Sequence, residues 1–220
     1  MNPLFKNRPD AGRKLAPLLQ GMEKGKESLI LALPRGGVPV AHEIARLLKL
    51  PMDILLVRKL GVPGHEELAM GAIAYGGSRV MNHDVVDVLN IPDAVVEAVA
   101  SMETAELQRR NRVYREGRPP PRVKGRDIVL VDDGLATGAT MHAAIMALRR
   151  ERAASITVAA PVGAPDTCRR LEVEADSVIC LHQPEPFYGV GVWYEDFSQT
   201  EDTEVLDLLR GKSGGTDAWP

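Results

Sequence analysis

The chain is poor in cysteine and in aromatic residues, has no long apolar run, and carries no large excess of charge of either sign. Two cysteines in 220 residues, Cys168 and Cys180, are far too few for a disulfide framework and read as buried or inert thiols. A formal net charge of −3 argues against a basic nucleic-acid-binding surface as the main function. The longest apolar stretches, such as Ile30 to Leu33 and Ile128 to Val131, are strand-sized and cannot span a bilayer. The first ten residues include Lys6 and Arg8 and no apolar core segment, so they do not read as a secretory signal. No internal repeat is visible. A cytoplasmic location is expected, with neither nucleic acid nor membrane as partner. A homo-oligomer is compatible with this reading.

The hydrophobic content of 45% suits one domain with a small appended element. Apolar runs of strand length alternate with helical patterns. Strands are expected at 28–33, 52–57, 128–131, 155–160 and 177–181, and helices at 38–48, 141–150 and 164–173. Residues 69–74 and 78–82 are expected to form a short antiparallel pair around Tyr75-Gly76-Gly77. Residues 92–115 read as one long helix, with Val95, Val96, Val99, Met102 and Leu107 near one face. Gly117-Arg118-Pro119-Pro120-Pro121 ends it. Such alternation predicts an α/β fold, a mainly parallel twisted sheet with helices on both faces, plus a small hood or insertion. The domain is expected over 1–210, with a helical insertion at about 83–121 and a flexible tail at 211–220. In such sheets ligands bind beyond the carboxyl ends of the strands.

One run carries most of the chemistry: Ile128-Val129-Leu130-Val131-Asp132-Asp133-Gly134-Leu135-Ala136-Thr137-Gly138-Ala139-Thr140. It reads as a buried strand, two carboxylates at its end, a loop of small residues, and a helix start. The carboxylates can accept hydrogen bonds from sugar hydroxyls. The small residues let backbone N–H groups approach a phosphate, whose charge the helix start favours. A Walker loop would need Gly-Lys-Ser/Thr, and a dinucleotide fold would need Gly-x-Gly-x-x-Gly; neither is present here. A phosphatase with Asp132 as nucleophile is disfavoured by the adjacent, rather than spaced, aspartates. The competing structural reading is a strand–turn–helix with a solvated acidic turn.

The run resembles the signature of the type I phosphoribosyltransferases, which bind 5-phosphoribosyl-1-pyrophosphate (PRPP) and transfer its phosphoribosyl group. The resemblance implies that Asp132 and Asp133 meet the ribose 2′- and 3′-hydroxyls, directly or through Mg²⁺. Their charge suits an anomeric carbon that becomes cationic in the transition state. It implies that Ala136, Thr137, Gly138, Ala139 and Thr140 wrap the 5′-phosphate; for Thr137 a plain helix N-cap is a compatible alternative.

Three further segments fit this picture. Leu33-Pro34-Arg35-Gly36-Gly37 follows a strand and precedes a helix. Successive N–H groups at Gly36 and Gly37 can form an anion-binding concavity, and Arg35 adds a permanent charge. In the resemblance this is the pyrophosphate loop, where family members often hold a cis peptide that is not at proline nitrogen, here expected between Pro34 and Arg35. Arg58-Lys59-Leu60-Gly61-Val62-Pro63-Gly64-His65-Glu66-Glu67 looks like the flexible catalytic loop of the family. Arg58 and Lys59 would meet the leaving pyrophosphate, and His65, Glu66 or Glu67 would move a proton; a solvated surface loop is the competing reading. Finally, much of the 4% aromatic content falls between Phe187 and Phe197. Phe187 and Tyr188 are candidates for stacking on a base, with sealing of the core as the alternative.

Members that salvage purines often carry an acidic residue at the position held by Ala136. Alanine there is similar to adenine-type members, but the rest of the chain is not. The closest likeness is to a bacterial and archaeal group known as phosphoribosyltransferases in name only. The expected activity is therefore transfer of the phosphoribosyl group of PRPP to a small nitrogenous base, with release of pyrophosphate and with Mg²⁺ as cofactor. The acceptor is left open. The alternative is a non-catalytic protein that senses PRPP or a nucleotide, although the chain shows no DNA-binding module to accompany such a role.

Overall fold

The structure is a computed structural model that describes residues 2–21, 27–74 and 79–211; the side chains of Glu66 and Glu67 are outside that description. A five-stranded parallel sheet forms its centre, in the order β2-β1-β6-β7-β8, from β1 (Leu29–Ala32), β2 (Met52–Ile54), β6 (Asp127–Val131), β7 (Ser155–Val162) and β8 (Ser177–His182). Alternate residues of β1 and β6 enter different apolar clusters, as a period-2 strand buried on both faces requires. Ile30, Ala32, Val129 and Val131 pack with Val38, Val40, Ala41 and Ile44 of α2 (Gly37–Leu48). Leu29, Leu31, Ile128 and Leu130 pack with Met141, Ala144, Ile145 and Leu148 of α5 (Ala139–Arg150) and with Cys168 and Leu171 of α6 (Pro165–Glu174).

That partition opens a crevice. β1 and β6 are neighbours, with Ala32 opposite Val131. The chain leaves β1 for α2 on one face and leaves β6 for α5 on the other. The two loops diverge and open a gap at the carboxyl edge, the topological switch point of an α/β sheet.

The expected elements are largely present, with two differences. The single strand anticipated at 52–57 is divided. Only Met52–Ile54 joins the main sheet, and Val57 begins β3 (Val57–Val62) of a separate three-stranded antiparallel sheet. Second, the segment 58–67 is not a loop. It is the hairpin of β3 and β4 (His65–Ala74), paired from Val57–Ala74 to Val62–His65, with irregular register around Gly61. Leu60, Val62 and Met70 are buried, and that burial holds the segment as strand. The expected pair at 69–74 and 78–82 is β4 with β5 (Arg79–Met81); its turn, and the tail from residue 212, lie outside the described residues.

After α3 (His83–Val88), the long helix is α4 (Asp93–Arg115), closed by left-handed Glu116 and Gly117. Buried Arg115 ties its end to the main sheet through Asp53 at 3.0 Å and the Ile54 carbonyl at 2.8 Å. Two further helices had no counterpart in the sequence reading: α1 (Arg8–Leu15) and α7 (Asp202–Leu209). Asn7 caps α1 by accepting from the Asp10 amide at 3.0 Å. Gly12 lets α1 lie close on α2, since a Cβ there would stand 2.5 Å from the Val40 carbonyl. Among the described residues, no helix is long and apolar enough to cross a membrane.

Candidate active site

The pyrophosphate-loop candidate and the acidic pair are in direct contact across the β1–β6 gap. A Cβ on Gly36 would overlap the Asp133 carboxylate, and one on Gly37 would stand 2.6 Å from the Val131 carbonyl oxygen and 3.0 Å from Asp132 Cα. Both glycines are therefore fixed by space. The Pro34–Arg35 peptide is cis, as expected. Arg35 reaches Asp202 Oδ1 at 3.6 Å, and the Tyr114 hydroxyl donates to the same oxygen at 2.5 Å. The start of α7 thus holds the Arg35 side chain from the far end of the chain.

Asp132 and Asp133 leave the end of β6, and the Asp133 amide donates to Asp132 Oδ1 at 2.9 Å. Burial and then the neighbouring Asp133 charge push Asp132 well above the usual carboxylate range. Burial also raises Asp133, against the lowering effect of Arg8. Arg8 Nε donates to Asp133 Oδ2 at 2.7 Å, and the Tyr194 hydroxyl donates to the Asp133 carbonyl at 2.7 Å. Neither Arg8 nor Tyr194 was singled out from the sequence.

The loop from Gly134 to Gly138 is held by its carbonyls. The Thr167 hydroxyl donates to the Ala136 carbonyl at 2.6 Å, and Arg170 donates to the Thr137 carbonyl at 3.1 Å. Leu135 is bridged to Gly163, its amide donating to Val162 at 2.9 Å. Among the described residues, the Thr137 and Gly138 amides have no acceptor, and the Ala139 amide reaches only the Thr137 hydroxyl, at 3.4 Å. Gly138 has φ +74°, a left-handed conformation that suits glycine, and it leads into α5. Open amides at a helix start make a ready anion site.

A cleft of about 570 Å³ lies between Pro34 and Thr140 and the hairpin. It is lined by Pro34, Thr140, Arg58, Lys59, Met102 and Glu103, among others. Arg58 pairs with Glu103 of α4 at 2.5 Å. His65 is exposed at the start of β4 and does not line that cleft. Of Glu66 only the backbone is described, in β4. The C-terminal aromatics divide. Phe187 packs against a cluster of Phe5, Ala11, Val162, Trp193 and Tyr194, whereas Tyr188 is 66% exposed.

Among the described residues, no group of three or more His, Cys, Asp or Glu could hold a metal. Asp132 and Asp133 are adjacent oxygen donors that suit a hard cation completed by oxygens from a substrate. They do not form a cage of their own.

The model of the phosphoribosyl transferase domain matches residues 6–195. Two proteins from Mycobacterium tuberculosis, strains CDC 1551 and H37Rv, are provisionally named phosphoribosyl transferases. Each is 47% identical over 206 residues, a match that covers 94% of this chain and 46% of the relative. The chain thus spans about half the length of the curated relatives it matches. The crystal structure of TT1426 from Thermus thermophilus is 39% identical with a TM-score of 0.86, over 95% of this chain and 98% of that one. AQ2163 from Aquifex aeolicus is 13% identical with a TM-score of 0.51, over 94% and 87%, and shares the fold.

Proposed function

The chain belongs to the phosphoribosyl transferase family, and from that premise we propose that it transfers the 5-phosphoribosyl group of PRPP to a nitrogenous base and releases pyrophosphate. The observation that carries the reading is the contact between Gly36-Gly37 and Asp132-Asp133 at the switch point. It supports a reading in which a loop able to bind anions faces two carboxylates able to accept from sugar hydroxyls.

In this reading the open amides of Thr137, Gly138 and Ala139, with the hydroxyls of Thr137 and Thr140, take the 5′-phosphate. Asp132 and Asp133 accept from the ribose hydroxyls and stabilise positive charge at the anomeric carbon as its bond to pyrophosphate breaks. Gly36, Gly37 and Arg35 receive the pyrophosphate. Arg58 and Lys59 line the neighbouring cleft with Pro34 and Thr140 and would add positive charge near the leaving group. Asp132 and Asp133 would also be the protein's share of a Mg²⁺ site; bound there, Mg²⁺ would offset negative charge on the leaving group. His65 and Glu66 are assigned to proton transfer if the hairpin closes over the cleft. Phe187 and Tyr188 are assigned to the base side, with Tyr188 the better placed because its ring is exposed.

The test is a panel of free bases incubated with PRPP and Mg²⁺ while pyrophosphate release is followed. Turnover with at least one base supports the enzyme. PRPP binding without turnover across the panel supports the sensing alternative. Absence of PRPP binding sinks both.

A further inference from the structure

We infer that Arg8 is a positioning residue for the acidic pair, acting on PRPP through Asp133 and dividing the two carboxylates into one held and one open. The inference rests on the PRPP reading above. Arg8 is the first residue of α1, yet its side chain makes three contacts outside that helix. Its Nε donates to Asp133 Oδ2 at 2.7 Å, its Nη1 donates to the Ser198 carbonyl at 2.6 Å, and its guanidinium lies 4.0 Å from the centre of the Phe197 ring. Both partners of the ion pair are largely buried, with side-chain exposures of 11% and 15%.

A guanidinium fixed at several points gives a carboxylate direction as well as charge compensation. Adjacent carboxylates in a buried turn repel each other, and the permanent charge of Arg8 offsets that repulsion without depending on a ligand. Gly36 crowds the same carboxylate oxygen, since a Cβ there would overlap Asp133 Oδ2 and stand 3.1 Å from Arg8 Nε. Asp133 is therefore held at Oδ2 by Arg8, against the pyrophosphate-loop candidate, with its backbone carbonyl held by Tyr194. Asp132 has no such cation at bonding distance among the described residues. Its Oδ1 takes the Asp133 amide, and its other oxygen is the one open to a sugar hydroxyl.

This division separates Arg8 from a residue that merely docks the C-terminal segment. A docking role acts on Ser198 and Phe197 and should lower stability independently of Asp133. A positioning role acts through Asp133 and should vanish when Asp133 is changed.

The experiment is a double-mutant cycle on the full chain: Arg8→Gln, Asp133→Asn and the pair, with PRPP affinity measured by titration calorimetry and folding by thermal melt. Arg8→Gln should weaken PRPP binding about tenfold or more, the scale of one charge-assisted contact. In the Asp133→Asn background the same change should alter affinity by less than about twofold. Equal losses in both backgrounds would overturn the inference, as would Arg8→Gln binding PRPP like the unaltered chain. If Arg8→Gln does not fold, Arg8→Lys replaces it in the cycle with the same criterion, because it retains charge but not the Nε geometry. Failure of the unaltered chain to bind PRPP would overturn the proposed function and this inference together, and so is distinguishable from failure of the inference alone.

Discussion

Gly36→Ala is the most direct probe of the contact on which the site depends. The added methyl would overlap Asp133 Oδ2 and lie 2.6 Å from its Cγ. Two responses are open to the protein. If the carboxylate stays, the backbone of residues 34–37 must move, and overpacking of this kind costs about 1–3 kcal/mol. If the carboxylate turns away, it leaves the Arg8 guanidinium at 2.7 Å and loses a charge-assisted bond of about 1.5–3 kcal/mol. Either route gives about 1–3 kcal/mol, or a fall in melting temperature of about 2–12 °C for a chain of this size. Either route also spoils the spacing between the loop and the carboxylates, so PRPP affinity should fall about tenfold or more. Gly37→Ala should be worse, because its obstacles are the Val131 carbonyl and the Asp132 backbone rather than a side chain. Thermal melts and calorimetric titration with PRPP provide the assay. A Gly36→Ala protein that melts and binds as before would refute the argument that this contact sets the site.

Replacing both Asp132 and Asp133 with asparagine should abolish Mg²⁺-dependent PRPP binding while the chain stays folded, as read by calorimetry beside circular dichroism. Arg58→Ala with Lys59→Ala should lower turnover far more than stability, because the part-exposed Arg58–Glu103 pair contributes only about 0.2–1 kcal/mol; normal steady-state rates would make the hairpin a scaffold only. Thr167→Val removes the bond to the Ala136 carbonyl and should weaken phosphate or PRPP binding by about 1–3 kcal/mol through a loosened loop, with unchanged affinity counting against it. The hydrogen bond that His142 Nδ1 donates to Glu174 Oε2, at 2.6 Å, raises His142 above its ordinary value of 6.5. A raised folded-state value means stability fully present below about pH 6.5 and lost as pH rises through the raised value. Glu174→Gln should therefore lower the melting temperature by about 1–3 °C at pH 5.5 and hardly at all at pH 9.

The crevice was legible because its parts are chemically distinct and local. Four apolar residues, two carboxylates and a small-residue helix start say where β6 ends and α5 begins; paired glycines say the same after β1. The hairpin was misread for a physical reason. Gly61, Pro63, Gly64 and the mixed charges of 58–67 look like loop signals. The two-residue alternation that marks the strand, Leu60 then Val62, is interrupted by register shifts at Gly61. The buried partners that decide the matter, Met70 and Ala72, belong to the returning strand.

The clamp on Asp133 was illegible because its parts are distant in sequence. Arg8 and Asp133 are 125 positions apart, and Tyr194 lies 61 beyond Asp133. The only local trace was the concentration of aromatics near the C-terminus, and the fold explains it. The chain around Phe5 pairs with the chain around Tyr194: the Glu195 amide donates to the Phe5 carbonyl at 2.8 Å and the Asp196 amide to Lys6 at 2.9 Å. Phe5, Trp193 and Tyr194 seal the seam between these two segments. Arg8 leaves one of them and Tyr194 the other, and both end on Asp133. The residues that close the N-terminal and C-terminal segments onto each other thus also fix the carboxylate that faces the pyrophosphate-loop candidate. A change that loosens the seam should be felt at the acidic pair, although no residue of the seam belongs to the motif that first pointed there.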